Sequence, residues 1–237
     1  MDYTLKSGKN VVVVSDIGAM IKEFKMDGED IFFPYFVGKD KKARGGCPIC
    51  SPWFGSIPEL GKERHGYIRT MRATDIVERG PNAMEFVFNC PGTSQYPWTL
   101  FQKVRVEIMH HGLRIGLEIK RLDDRLSSRA FVNPGFHPYF LGRAEDTVVI
   151  SNSGNFSGFS DNAKVCEIGG RGLVIERSDK KIAMLLEGDF SKLSKAVLWT
   201  NNPEKYFCVE PILKDPNEGI EIGIGESIKL VAILSPF

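Results

Sequence analysis

Gln102-Lys103-Val104-Arg105-Val106-Glu107-Ile108 runs through Met109-His110-His111-Gly112 into Leu113-Arg114-Ile115-Gly116-Leu117-Glu118-Ile119-Lys120-Arg121-Leu122, and this stretch decides the fold. On both sides of the turn residues, apolar and polar side chains alternate with a period of two. That places every second side chain on one face of a strand, so the segment is expected to be a hairpin with one face buried. Working outward, Ala19 to Met26 and Asp30 to Phe36 flank a turn at Asp27-Gly28. Short β-type runs follow at Glu85 to Asn89, Thr147 to Ile150, Lys181 to Leu186, Ala196 to Thr200, Tyr206 to Glu210 and Ser227 to Leu234. Gly, Pro, Asn and Asp clusters separate them, and no stretch keeps a period of 3.6 for three turns. Many strands without alternating helices predict an all-β antiparallel sandwich rather than a parallel α/β fold.

The chain has 237 residues, of which 42% are hydrophobic, enough for one large domain spanning 1–237. With 31 basic and 30 acidic residues well mixed, it carries no footprint for nucleic acid or an anionic membrane. The longest apolar runs, such as Val11 to Val14, fall far short of a membrane helix, and the start has no secretory apolar region. A cytoplasmic protein is expected, as a monomer or weak homodimer. Five cysteines without framework spacing fit a reducing compartment. Cys47 and Cys50 form a Cys-x-x-Cys, but without a second close pair they are read as small, semi-buried side chains in a glycine-rich turn rather than a metal or redox site.

Three stretches set an acid/base residue in a stiff frame: His65 in His65-Gly66-Tyr67-Ile68-Arg69, His137 in Asn133-Pro134-Gly135-Phe136-His137-Pro138-Tyr139-Phe140, and Glu210 in Phe207-Cys208-Val209-Glu210-Pro211. The chain holds only four histidines. A lone loop histidine such as His65 is ordinarily a surface residue, whereas Pro134, Gly135 and Pro138 restrain His137, and Phe136, Tyr139 and Phe140 would shield it. Glu210, followed by Pro211, is expected at a strand terminus, as an exposed charge or as a base aimed into a cleft. His110 and His111 belong to the turn and are given no role.

Phe36 to Arg72 is the least regular region, with six glycines (38, 45, 46, 55, 61 and 66) and prolines at 48, 52 and 58. Long irregular segments in a compact domain are usually functional. This one gathers Arg44, Lys62, Arg64 and Arg69 with Trp53 and Phe54, a suitable floor for a sugar, whose C–H face stacks on rings while its hydroxyls need donors and acceptors.

Taken in order, Arg44-Gly45-Gly46-Cys47-Pro48-Ile49-Cys50-Ser51-Pro52-Trp53-Phe54-Gly55, His65-Gly66-Tyr67-Ile68-Arg69, His137-Pro138-Tyr139-Phe140 and Phe207-Cys208-Val209-Glu210-Pro211 resemble the aldose 1-epimerase family of the galactose mutarotase-like superfamily, and within it the hexose-6-phosphate mutarotase branch. The resemblance spans residue 44 to the C-terminus, where Gly225-Glu226-Ser227 looks like the family's closing segment. It implies a large β-sandwich with a sugar cleft and cofactor-free, metal-free interconversion of α and β anomers. By that resemblance Glu210 removes the proton from the anomeric hydroxyl, His137 protonates the ring oxygen, and His65 hydrogen-bonds the sugar. Arg44 and Arg69 would bind substrate and, in the phosphate-preferring branch, its phosphate. A neutral hexose would instead be served by Trp53, Phe54, Tyr96 and Trp98. Leu141-Gly142 stands where relatives acting on free sugars often carry Asn-Leu, so galactose specificity does not transfer directly by the resemblance. Asp161 and Asp189 are candidates for the family's sugar-binding aspartate. The expected ligand is a sugar or sugar phosphate. The competing readings are a non-catalytic sugar-binding or sugar-sensing module on the same sandwich and a hydrolase or lyase that shares it, against which stands the second carboxylate that glycosidases ordinarily need.

Overall fold

The computed structural model describes residues 1–39, 43–56, 64–94, 96–122, 128–190 and 195–237, so Pro58, Gly61 and Lys62 lie outside the described residues. The hairpin of the opening stretch forms as strands Leu100–Met109 and Gly112–Arg121, in register from Leu100↔Arg121 to Met109↔Gly112. Along the first of these, buried and half-buried residues alternate without a break. It lies inside a nine-stranded antiparallel sheet. On one side come Ala83–Cys90 and Asp75–Glu78; on the other come Ser227–Pro236, Lys181–Gly188, Gly172–Arg177, Thr147–Ser151 and Gly154–Phe156. A four-stranded sheet is built from Asp2–Ser7, Asn10–Ser15, Ile21–Met26 and Glu29–Asp30. A six-stranded sheet runs Lys164–Glu167, Lys195–Trp199, Tyr206–Ile212, Gly135–Phe136 and Ile49–Cys50, with Tyr139–Leu141 also paired to Tyr206–Ile212. The fold is an all-β antiparallel sandwich. Among the described residues no helix is long and apolar enough to cross a membrane.

The expected strand at Asp30 to Phe36 largely does not form. Only Glu29–Asp30 pair back onto Lys25 and Met26, after which Phe32 makes a single bridge to Phe140 and the Phe33 N–H donates to Tyr139 O. Pro34 has no N–H to continue a ladder, and the two phenylalanines anchor the chain to the six-stranded sheet instead.

The Tyr206–Ile212 strand is covered on both faces, and all seven of its residues are buried. Phe207 and Val209 point into the main apolar core, shared with Val12, Val104 and Leu230 of the other sheets. The alternate set, Tyr206, Cys208, Glu210 and Ile212, faces the other way, where Tyr206 and Cys208 meet Tyr139 and Ile212 meets Cys50, Phe54 and Val197. Pro211 does not end the strand, contrary to expectation. Tyr139–Leu141 pairs as far as Cys208 and Gly135 pairs with Ile212, so the ladder on that side is interrupted at Val209, Glu210 and Pro211, and the proline falls in the gap. Glu210 is therefore a buried mid-strand carboxyl, 2% exposed, rather than a strand-end charge.

Candidate active site

Opposite the gap, the chain turns at His137-Pro138 between Gly135–Phe136 and Tyr139–Leu141, and that corner delivers the imidazole. The His137 backbone N–H donates to Pro48 O (3.0 Å). Its ring stacks on Tyr139 at 4.8 Å and meets the edge of Trp199 at 5.9 Å. His137 Nε2 then lies 3.5 Å from Glu210 Oε1. Two residues 73 positions apart in sequence are brought within reach of one proton. The pair is in direct contact rather than on opposite walls of a pocket.

His65 is not a surface histidine. It is 9% exposed, and its ring sits 5.2 Å from that of His137 and 4.9 Å from Phe54. Its φ of 67° is left-handed, a conformation costing a non-glycine residue about 1 kcal/mol. Two hydrogen bonds hold it there: the His65 N–H donates to Gly55 O (2.6 Å) and the Gly55 N–H donates to His65 Nδ1 (3.2 Å). With Nδ1 accepting, the neutral ring carries its proton on Nε2, which makes it a donor. The next residue, Gly66, also has positive φ, and a Cβ there would stand 2.2 Å from Ser51 O.

Buried polar links fasten this irregular shell to the sheets. The Ser51 hydroxyl donates to Gln102 Oε1 at the start of the fold-defining hairpin, and Ser51 O accepts from the Ile68 N–H (3.2 Å). Asn133 joins three segments: its N–H donates to Pro52 O, its carbonyl accepts from the Phe54 N–H, and its side chain reaches Asp215 O and the Lys214 N–H.

Burial sets the electrostatics. It pushes His137 down to about 3 and His65 lower still, helped at His65 by His137, Arg69 and Arg64, and at His137 by Arg69 and Arg64. It pushes Glu210 well above the usual carboxylate range, against the pull of Arg64. Each group is driven towards its neutral form. Moving one proton across the 3.5 Å gap converts a neutral acid and imidazole into a carboxylate and imidazolium of the same net charge.

The remaining expected site residues are placed less uniformly. Phe54 is beside both histidines. Trp53 and Tyr96 are each 1% exposed and pack on one another and on Tyr67 beneath the shell, with the Tyr96 hydroxyl donating to Phe131 O (2.6 Å). They are supports rather than an open floor, and Trp98 packs on Tyr96 with its indole N–H on Ser128 O. Arg44 lines a cavity of about 460 Å³ with Phe33, Lys205 and Tyr206, whereas Arg69 lines another of about 340 Å³ with Lys22, Tyr35 and Pro48. The two arginines thus open into different cavities and are not brought together as an anion clamp. Asp161 is exposed, offering its backbone carbonyl to the Trp199 indole, and Asp189 accepts from the Lys229 N–H in the large sheet. Neither joins the histidines.

Sequence reasoning missed Trp199, Tyr206 and Cys208. Cys208 was legible in principle, being two residues before Glu210 on one strand and so on its face. The ligand atoms of His137, Cys208 and Glu210 all lie within 4.8 Å of one another and are the set of described residues that could hold a metal ion. Cys47 and Cys50 are fully buried free thiols, raised by burial.

Solved structures resemble the whole chain. A galactose mutarotase related enzyme from Lactobacillus acidophilus matches with a TM-score of 0.80 at 16% identity, covering 100% of this chain and 97% of that one. A galactose mutarotase-like protein from Lactobacillus casei matches at 0.78 and 14% identity, covering 100% of both chains. A galactose 1-epimerase from Lactobacillus acidophilus matches at 0.74 and 16% identity, covering 100% of this chain and 94% of that one. No curated protein matches by sequence. At such identities these likenesses speak for the fold. The family model described as aldose 1-epimerase matches residues 1–157, about two thirds of the chain, and includes both histidine motifs. The chain belongs to the aldose 1-epimerase family.

Proposed function

We propose that the protein is a mutarotase that interconverts the α and β anomers of an aldohexose or its 6-phosphate, with Glu210 and His137 as the catalytic pair. The observation that carries this reading is the 3.5 Å approach of two buried groups of opposite proton affinity at the break in the Tyr206–Ile212 ladder. In the carboxylate–imidazolium form, Glu210 takes the proton from the C1 hydroxyl while His137 gives its proton to the ring oxygen. The C1–O5 bond breaks and the C1 oxygen becomes a carbonyl. The pair is left as carboxylic acid and neutral imidazole. Rotation about C1–C2 presents the other carbonyl face; His137 then takes the proton from the C5 hydroxyl as O5 attacks C1, and Glu210 returns its proton to the carbonyl oxygen. Protons balance over the cycle, and none has to enter from solvent. His65, with its proton on Nε2, supplies a hydrogen bond to the reacting oxygens, and Phe54 offers an apolar face beside them.

The cations whose charge reaches the histidines, Arg64 and Arg69, support a phosphorylated substrate. On the same reading the protein works as one unit over residues 1–237, which is supported by the main buried apolar cluster, whose members run from Leu5 to Leu234. Exchange spectroscopy by NMR tests the proposal on glucose, galactose and their 6-phosphates. The wild type is expected to exchange anomers well above buffer, with Glu210→Gln and His137→Asn abolishing the excess. A wild type no faster than buffer on any common aldose or aldose phosphate overturns it.

A further inference from the structure

The mechanism above uses two of three polar groups that share one buried cluster. Cys208 and Glu210 are two residues apart on a single strand, so their side chains emerge on the same face, and the His137 corner folds over both. Thiol, imidazole and carboxylate thereby place one ligand atom each within 4.8 Å of the others, all three residues buried. A tetrahedral zinc-class ion with bonds of about 2.0–2.3 Å needs ligand atoms roughly 3.4–3.7 Å apart. The His137–Glu210 approach of 3.5 Å already satisfies this, and the sulfur has about 1 Å to move.

We propose that His137, Cys208 and Glu210 form a binding site for a soft divalent cation of the zinc class, and that an ion held there blocks anomer exchange. Charge counting favours it. A neutral imidazole, a thiolate and a carboxylate sum to minus two, so a divalent ion makes the buried cluster neutral as it displaces the thiol and carboxyl protons. In the same cluster His137 Nδ1 is buried with no hydrogen-bond partner among the described residues, an arrangement that costs stability until a partner arrives. The donor set also selects the ion. Sulfur and nitrogen ligands suit zinc, cobalt and cadmium, whereas magnesium and calcium need oxygen ligands in greater number. Three protein ligands leave one position open, so the ion is held through the two groups that must exchange protons with the sugar. The blocking half of this inference rests on the mutarotase reading; the binding half does not.

Cobalt(II) added to the metal-free full-length protein separates the two. Expected are one ion per chain, a thiolate-to-cobalt charge-transfer band in the near ultraviolet, and displacement of cobalt by zinc. Cys208→Ser should remove the band and weaken zinc affinity, measured against a chromophoric chelator, by at least about tenfold. Glu210→Gln should weaken affinity but keep the band, which guards against a misfolded cysteine variant. Zinc should stop anomer exchange in the wild type, and a chelator should restore it. Cobalt bound without a thiolate band, for instance at the exposed His110-His111 pair, or a band that survives in Cys208→Ser, overturns the site. Full exchange activity with zinc bound overturns the blocking. A thiolate band in a protein that never exchanges anomers keeps the metal site and removes the mutarotase.

Discussion

The Leu100–Arg121 hairpin and the shell that carries the histidines solve opposite problems with the same chain. In the hairpin every second side chain is buried, apolar except at Gln102 and Arg121, and the strands pair residue for residue over their whole length. In the shell, Gly45, Gly46, Gly55, His65 and Gly66 all take positive φ, and ionisable groups are buried without full compensation. The first region lowers the free energy of the fold, and the second draws on that stability to hold an acid and a base out of water.

The sharpest way to separate them is to neutralise the pair. Glu210→Gln and His137→Asn are each expected to slow anomer exchange by about 10²–10⁴-fold, or roughly 3–5 kcal/mol. Glu210→Gln should at the same time raise the urea midpoint, by about 1 kcal/mol of stability, because a buried carboxyl gives way to an amide. A large loss of activity accompanied by unfolding would put Glu210 among the structural residues and break the contrast.

Next in size is a matched pair of glycine substitutions. Gly66→Ala must fit a Cβ 2.2 Å from Ser51 O at φ +69°, and is expected to cost about 2–4 kcal/mol. Gly116→Ala, in the hairpin, meets nothing closer than 3.8 Å in extended backbone and should stabilise by about 0.5 kcal/mol. Urea unfolding of both proteins checks this. Equal effects would mean that the shell's backbone is not specially constrained.

Titration comes third. His65 is held neutral by burial, so the unfolded chain binds a proton near pH 6.5 that the folded chain refuses. Stability therefore rises with pH in that range and is lost as pH falls below about 6.5, by roughly 1 kcal/mol between pH 6.5 and 5.5. His137 is held neutral in the same way and adds a term of equal sign, so His65→Gln should reduce that slope by the His65 share rather than abolish it, in melts taken over the same range. An unchanged slope would mean that His65 is not the group refusing the proton.

The two regions also differ in how much the sequence discloses. The hairpin was readable because period-two alternation is a local property, and observed strand ends fall within two residues of those expected. His137 was readable because its rigid neighbours are adjacent in sequence. Glu210 was legible as a candidate from its motif, but its setting was misjudged: Pro211 argues for a strand end, and only the spatial break between Gly135–Phe136 and Tyr139–Leu141 accommodates it. Tyr96 and Trp53 look like sugar platforms by composition, yet their depth depends on packing between distant segments. The separation of Arg44 from Arg69 into different cavities is likewise invisible in their spacing.

The smallest effect probes the hairpin's own surface. Glu118 lies opposite Lys103 on one side (3.2 Å) and Lys229 on the other (3.5 Å), each a register partner across the ladder. These side chains are partly exposed, so solvent screens them, and Lys103→Gln should cost only about 0.3 kcal/mol because Lys229 still faces the carboxylate. Glu118→Gln should cost more, about 0.5–1 kcal/mol, since it leaves two ammonium groups flanking an uncharged residue. Raising salt to about 1 M should bring the two variants together, because exposed charges are then screened over a few ångströms. Neither should alter anomer exchange. If Glu118→Gln slowed it, the hairpin would be coupled to the pair through the Gln102–Ser51 link, and the division between a region that stabilises and a region that reacts would have to be redrawn at that hydrogen bond.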